Sequence, residues 1–406
     1  MNYSLMHKDL VISTFKLENN EVTEWILPNN ALRLNHLPLP LKRIVHYING
    51  GYIERENKTS FKINEEGRYF LESWLHDRAI PITRENFDKY TKNSALGFMI
   101  DSHSLSLTDC YWTKQCTEDI NWNAAKLFNS NKIDRLDIVN EQQQCGKRYS
   151  SVNSTLGGQL EKFWYYVYTK NDNKELKLAK KTSITNNILN IREVIASKIY
   201  DKQGYKNYCK YSYIRNRFNQ VTGCKCKAFT CEQLELITVY DLLEEYGKTQ
   251  SDNIYTEIIK LASNYGANVT EVVNQLDMQT LVDYLVTNRD RHQNNIGFLR
   301  DPDTLRIIKI APIFDSGSCI ELEGQLPLGV TNTTTHNLYN TELECLEHVK
   351  DINTLDLSKL PSNRWIEEQY KNMFNSNIYS IKFYMDLYNA KVDYLKKLQQ
   401  ERKTFK

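Results

Sequence analysis

The chain has 406 residues, a length that suggests two or three domains, each able to bury its own core. Hydrophobic residues make up 41% and charged residues 25%, the balance of an ordinary soluble globular protein. With 52 basic and 50 acidic residues the formal charge is +2, which argues against a dominant nucleic-acid or membrane surface. No stretch approaches the roughly 18 apolar residues of a membrane span. The first residues, Met1 to Phe15, hold no apolar run long enough for a signal-peptide core, so a cytoplasmic location is expected. The nine cysteines are scattered and odd in number, which fits reduced thiols.

Residues 1–140 read as a mixed α/β domain without a catalytic constellation. Leu10 to Phe15 alternates as a strand, and Arg68 to Leu75 sets Phe70, Leu71 and Trp74 at helical spacing. Thr83 is placed to cap a following helix. A polar joint, 140–154, reads as a linker or flap. Phe163 to Tyr168 and Leu176 to Lys180 then suit the strands of a hairpin around 170–175. Residues 189–202 form a helical pattern with Ile191, Val194, Ile195 and Ile199 on one face. Another strand pair fits after Gly204, ending near Lys225 to Thr230. From about 233 onward helices dominate, the last running through Tyr388 to Leu398. The fold class expected is α+β: a small β-rich lobe over 150–232 and a larger α-rich lobe over 233–406, preceded by the 1–140 domain. A nucleotide would sit between the two lobes.

The chemistry concentrates between Asn288 and Gly317. Asp290 leads Asn295 by five residues, and the mainly apolar run Arg306 to Phe314 reads as a strand delivering Asp315 to a turn that Gly317 relaxes. Phosphoryl transfer needs a carboxylate near the attacking hydroxyl, a divalent metal bridging phosphates, and cations that position them. Asp290 fits the first task. Asn295 and Asp315 fit oxygen ligands for Mg²⁺, which takes only one or two side chains from a protein. His292, inside the loop, either orients it by hydrogen bonds to nearby backbone or is a surface histidine.

Asn288, Asp290, His292 and Asn295, with Asp315 and Gly317, give this stretch a resemblance to the HipA-like bacterial serine/threonine kinases, good from about 150 to 400. Residues 1–140 resemble an extra N-terminal region of some Firmicute members. The resemblance implies a two-lobed kinase fold using ATP and Mg²⁺, with a protein substrate, a toxin, regulatory or defence role, and an antitoxin or regulatory protein as candidate partner. It places the phosphate-covering loop at Gly157 and Gly158 with Lys162 beside it, and implies inactivating autophosphorylation there, at Ser150, Ser151, Ser154 or Thr155. It calls for a phosphate-binding lysine on the strand 176–181. Lys180, thirteen residues before Glu193, suits the family spacing, while Lys181 matches the usual Ala-x-Lys; they point to opposite faces, so only one enters the cleft. Glu193 would pair with that lysine. Adenine contacts are expected around Phe229 to Leu236.

Departures and competitors remain. The Gly loop is minimal, the turn is Phe-Asp-Ser-Gly, and a non-catalytic nucleotide-binding pseudokinase stays open. Cys224, Cys226 and Cys231 raise a structural zinc, but a fourth ligand with good spacing is missing and buried thiols suit the strand better. Phosphoinositide kinases share a similar Asp-Arg-His-x-x-Asn loop. Ile310 to Val349, however, has no Lys or Arg and carries Asp315, Glu321, Glu323, Glu342, Glu344 and Glu347. Such a run favours a neutral or basic peptide over an anionic head group. Thr331, Thr333, Thr334 and Thr335 lie in it as candidate autophosphorylation sites.

Overall fold

A computed structural model describes residues 1–46, 51–78, 103–128, 162–168, 174–182, 184–317 and 327–404. It divides into two compact units. One comprises Met1–Leu178, Thr230–Asp252 and Leu299–Ile307; the other comprises Ala179–Phe229, Asn253–Phe298 and Ile308–Lys406. The expected cap at Thr83 and the 140–154 joint lie outside the described residues.

The first unit is built on a six-stranded sheet. Its strands are β1 (Asn2–His7), β2 (Leu10–Glu18), β3 (Glu21–Pro28), β4 (Ile53–Glu56), β5 (Ser60–Ile63) and β6 (Tyr111–Gln115), in the order β4-β5-β3-β2-β1-β6. Every neighbouring pair is antiparallel. Trp25 and Leu27 alternate as buried side chains of β3, and Val22 joins the same face across a register shift in its pairing with β2. The helix Glu65–Asp77 starts where the Asn64 side chain accepts from Gly67 N at 3.0 Å, with Glu65 and Glu66 in the first turn to favour its dipole. Its buried Leu71, Trp74 and Leu75 join Leu5, Phe15, Trp25 and Ile63 in one core. The strand Glu235–Thr238 runs directly into the helix Val239–Glu244 through a capping box of Thr238 and Asp241. Arg43, on the helix Leu39–His46, holds Glu244 at 2.8 Å.

The first unit also contains a charged cluster. Glu235 is fully buried and accepts from Arg300 Nε at 2.8 Å. His7 Nε2 lies 3.2 Å from the other Glu235 oxygen, and Cys110 N–H donates to that oxygen at 3.3 Å. Arg300 Nη2 donates to the Tyr111 hydroxyl at 3.0 Å, and the Tyr111 ring stacks on His7 with centroids 4.3 Å apart. His36 Nδ1 closes the group, 2.8 Å from His7 Nδ1.

The second unit is mainly helical. The antiparallel hairpin Ser212–Arg215 and Val221–Lys227 lies against the helix Ile188–Lys202, whose Ile191, Ile195 and Ile199 are buried. Val194 is only half-buried. At the centre is Val269–Val286, capped by the Asn268 side chain on Thr270 and Glu271 N–H, and buried around most of its circumference. It carries polar Gln275, Asp277, Gln279 and Asp283 into that interior. Asp277 is satisfied by the Tyr255 hydroxyl at 2.8 Å and by Lys350 and Asp351 N–H at 2.9 and 2.8 Å. The helices Asn363–Tyr370 and Ile378–Thr404 complete the core through Ile366, Tyr370, Leu387 and Leu395. The strand expected over 306–314 is shorter, Ile307–Ile310, because Pro312 has no N–H for a ladder. Beyond it Ile313 makes a parallel bridge with Tyr208 instead. Among the described residues no helix is long and apolar enough to cross a membrane.

Candidate active site

The central helix ends at Thr287, which adopts the left-handed conformation at φ 56° and ψ 48°. This is costly for a β-branched residue, and it redirects the chain at once into the loop that carries Asp290. The Thr287 hydroxyl accepts from buried Lys391 Nζ at 2.9 Å. Asn288 N–H then donates to Asp283 O at 2.8 Å, and Asn288 Nδ2 to Asp283 Oδ1 at 2.9 Å.

Arg291 organises the loop itself. Its Nε and Nη2 grip Asp283 at 2.7 and 2.9 Å, and both residues are buried. Nη1 donates to Asn295 O at 2.9 Å and to Phe314 O, while Nη2 reaches Ser316 Oγ at 3.0 Å. One guanidinium fork therefore ties the loop holding Asp290 and Asn295 to the turn holding Asp315. Sequence reading missed Arg291 and Asp283. The only signal for Asp283 is an acid set inside the apolar run Leu281 to Val286, where a lone charge requires a partner.

Asn295 Nδ2 donates to Asp290 O at 2.8 Å and lies 3.3 Å from His292 Nε2. The amide nitrogen is thus engaged, leaving its carbonyl oxygen as the group suited to a hard cation. His292 Nδ1 accepts from Asn294 N–H at 3.2 Å and caps the turn Gln293–Asn295. Burial pushes the Asp290 carboxyl above its ordinary range, with nearby His292 opposing the shift.

Lys180 is the lysine at this centre. It is buried, whereas Lys181 is only half-buried. Lys180 Nζ lies 2.8 Å from Glu193 Oε1 and also pairs with Asp315. Burial opposes its charge, but the carboxylates of Asp315 and Glu193 prevail and hold the ammonium above its ordinary range. Glu193 Oε2 accepts from Ser316 N–H at 3.0 Å, fastening the turn to the helix. Gly223 enables the approach of the hairpin to Lys180, because a Cβ there would lie 2.6 Å from Lys180 O. The Asp315 turn is not made as expected. Asp315 itself has the left-handed φ of 56°, which an Asp tolerates. Gly317 serves close packing: a Cβ there would meet Leu189 O at 2.2 Å and Glu193 Cγ at 2.6 Å.

Other expected residues fall differently. Phe229 stacks on Phe314, next to Asp315, with centroids 5.5 Å apart. In the first unit Leu236 N–H donates to Thr108 O at 2.7 Å, and Cys231 and Leu234 bond each other. Lys162 begins the strand Lys162–Tyr168 of that unit. Gly157, Gly158, Ser150, Ser151, Ser154 and Thr155 lie outside the described residues. Cys224 and Cys226 are buried thiols, and no group of three potential metal-binding His, Cys, Asp or Glu occurs among the described residues.

Among the described residues, Asp315 and Glu193 share the ammonium of Lys180 with Asp290 nearby, while Arg291 is matched by Asp283. A carboxylate and an amide oxygen near these groups are ligand types suited to a divalent cation carrying phosphate oxygens.

Over 99 residues the chain is 34% identical to the serine/threonine-protein kinase CtkA of Helicobacter pylori. That match spans 30% of the relative's length and 23% of this chain. The crystal structure of the H. pylori proinflammatory kinase CtkA aligns with 61% of this chain and 93% of its own, at TM-score 0.43 and 17% identity. The Shewanella oneidensis toxin–antitoxin system HipA, HipB, solved with its operator DNA, has a chain that aligns over 97% of both chains at TM-score 0.49 and 11% identity. No protein-family model matches the chain.

Proposed function

We propose that this chain is an ATP-dependent serine/threonine protein kinase of the HipA type, transferring the γ-phosphoryl group of Mg-ATP to a protein hydroxyl. The observation that carries the reading is Lys180 held between Glu193 and Asp315, in a unit whose Arg291 ties the Asp315 turn to the loop of Asp290 and Asn295. The sequence similarity to a serine/threonine kinase supports it. In this reading 150–232 and 233–406 are the two kinase lobes, and 1–140 is an accessory domain.

Lys180 would bind phosphate oxygens once nucleotide displaces one of its carboxylates, and Glu193 would keep its ammonium in position. Asp315 and the Asn295 carbonyl oxygen would hold Mg²⁺, which when bound neutralises charge on the phosphates. Asp290 would orient the acceptor hydroxyl and take its proton, a task that its raised proton affinity favours. Gly157, Gly158 and Lys162 would cover the phosphates, Phe229 would border the nucleotide, and His292 would hold the loop in shape. An antitoxin or other regulatory protein is the partner proposed, and a toxin, regulatory or defence role the biological setting.

Labelled ATP with Mg²⁺ and a cell lysate tests the reading. The wild type should label proteins on Ser or Thr. Asp290→Ala should lose transfer while retaining nucleotide, and Asp315→Ala should lose both. Label confined to lipids or small acceptors rejects the protein acceptor, and bound nucleotide without any transfer identifies a pseudokinase.

A further inference from the structure

The helical unit carries a pocket that the proposed chemistry does not use. It lies among the central helix Val269–Val286, the loop of Asp290 and the segment 337–345. Its surface is mainly apolar, with Leu276 and Leu338 beside the rings of Tyr255, Tyr284 and Tyr339, and its free space suits a single small ring system.

One polar group of the lining lacks a full set of partners. Glu342 is buried, and its Oε1 pairs with buried Lys391. Its Oε2 has no hydrogen-bond partner among the described residues. A buried carboxylate oxygen left unbonded is unfavourable, and a donor brought by a ligand would satisfy it. The two acids of the lining each already face a cation, Asp283 on Arg291 and Glu342 on Lys391. What the pocket offers is therefore one acceptor among apolar and aromatic surface, not an unmatched charge. That suits a neutral planar molecule with one donor better than an ammonium.

The same walls hold the loop of Asp290. Asn288 and Arg291 line the pocket from the loop, and Asn337 lines it from the segment opposite. Asn288 N–H donates to Asp283 O at 2.8 Å, Asn337 Nδ2 donates to Asn288 O at 3.0 Å, and Asn337 Oδ1 accepts from Arg291 N–H. A molecule seated here would touch both sides of these bonds, and opening of the loop would dismantle its site.

We propose that this pocket binds a small neutral aromatic molecule with a single N–H or O–H donor, which hydrogen-bonds Glu342 Oε2 and holds the Asp290 loop against local opening. A ligand that binds only the closed loop stabilises that state in proportion to its occupancy. Binding itself does not depend on the kinase reading.

Indole and benzofuran test this on the full chain, because they share a shape and differ in the donor. Titration by ligand-observed NMR should give indole a dissociation constant of about 1 mM or tighter. Benzofuran should bind about tenfold more weakly, the loss of one hydrogen bond to a charged group. Phenethylamine, which brings an ammonium, should also bind more weakly than indole. Thr280→Phe and, separately, Leu338→Trp place a ring in the free space from half-buried lining positions and should abolish indole binding in a folded chain. Hydrogen exchange gives the second readout. Indole at about ten times its dissociation constant should slow exchange of the Asn288 and Arg291 amides by about tenfold and leave the Trp25 amide of the first unit unchanged. Equal binding of indole and benzofuran, tighter binding of phenethylamine, or indole binding retained in both filled variants overturns the ligand assignment. Loop amides that exchange as fast with indole as without it overturn the coupling to the loop. No indole binding at millimolar concentration overturns the whole proposal, and it does so whatever the transfer assays on the kinase reading give.

Discussion

Each unit buries a cluster of charge, and the two clusters are built to opposite rules. In the first unit Glu235 is matched by Arg300 and His7, and its carboxylate is further used by the Cys110 amide. Arg300 and His7 hold this carboxyl well below the usual range against the burial that would raise it. In the second unit Asp315 and Glu193 crowd one lysine, and the Asp290 carboxyl is pushed up by burial. A carboxylate matched in this way ties separated stretches of chain together, although Arg300 Nη1 has no hydrogen-bond partner among the described residues. A cluster with carboxylates in excess carries unfavourable self-energy, which a bound cation would relieve. Among the described residues the two clusters thus differ in the balance of their charges.

Mutations can break that comparison. The largest expected effect is on chemistry. Asp290→Asn should lower phosphoryl transfer by about a thousandfold without lowering the unfolding midpoint, since it removes a charge that burial disfavours. Equal loss of stability and transfer would mean that Asp290 is structural. Glu235→Ala should do the reverse. It strands the Arg300 guanidinium in the interior and should cost about 3–5 kcal/mol in denaturant unfolding, with transfer per folded molecule retained. Gly317→Ala should cost about 1–3 kcal/mol by overpacking and also weaken transfer, because its Cβ would push on Glu193.

The smallest effect sharpens the comparison through pH. His36 is held down to about 4, chiefly by burial, with His7, Arg300 and Lys42 adding to the shift and Glu235 opposing it. In the unfolded chain His36 takes a proton near pH 6.5, whereas in the folded chain it does so only near 4. Lowering the pH through that window therefore favours the unfolded state. Melting temperature should fall across it, and His36→Gln should flatten part of the decline. An unchanged profile would place the acid sensitivity elsewhere.

Much of the local structure was legible from pattern. The alternation around Leu10, the helical spacing of Leu71 and Trp74, and the apolar face of Ile191, Ile195 and Ile199 each report a repeat that the chain obeys locally. The strand through 306–314 was overread, because Pro312 ends it where hydrophobicity alone would continue it. The turn at Asp315 was legible as a turn, but not the division of labour within it. Left-handed backbone at Asp315 and tight packing at Gly317 look alike in sequence and differ only in what surrounds them.

By itself, the sequence determined the acid and amide spacing of Asp290, Asn295 and Asp315, because residues in one loop and one following turn keep their order whatever the rest of the chain does. Only the tertiary structure shows Lys180 paired with Glu193 and Asp315. Adjacent strand residues face opposite ways, and the choice depends on which face meets a helix thirteen residues on and a turn far beyond it. The same holds for Arg291 and Asp283, whose grip joins three separated stretches of chain, and for Thr334. The one exposed hydroxyl among Thr331, Thr333, Thr334 and Thr335 lies beside a guanidinium that folding brings from 45 residues away.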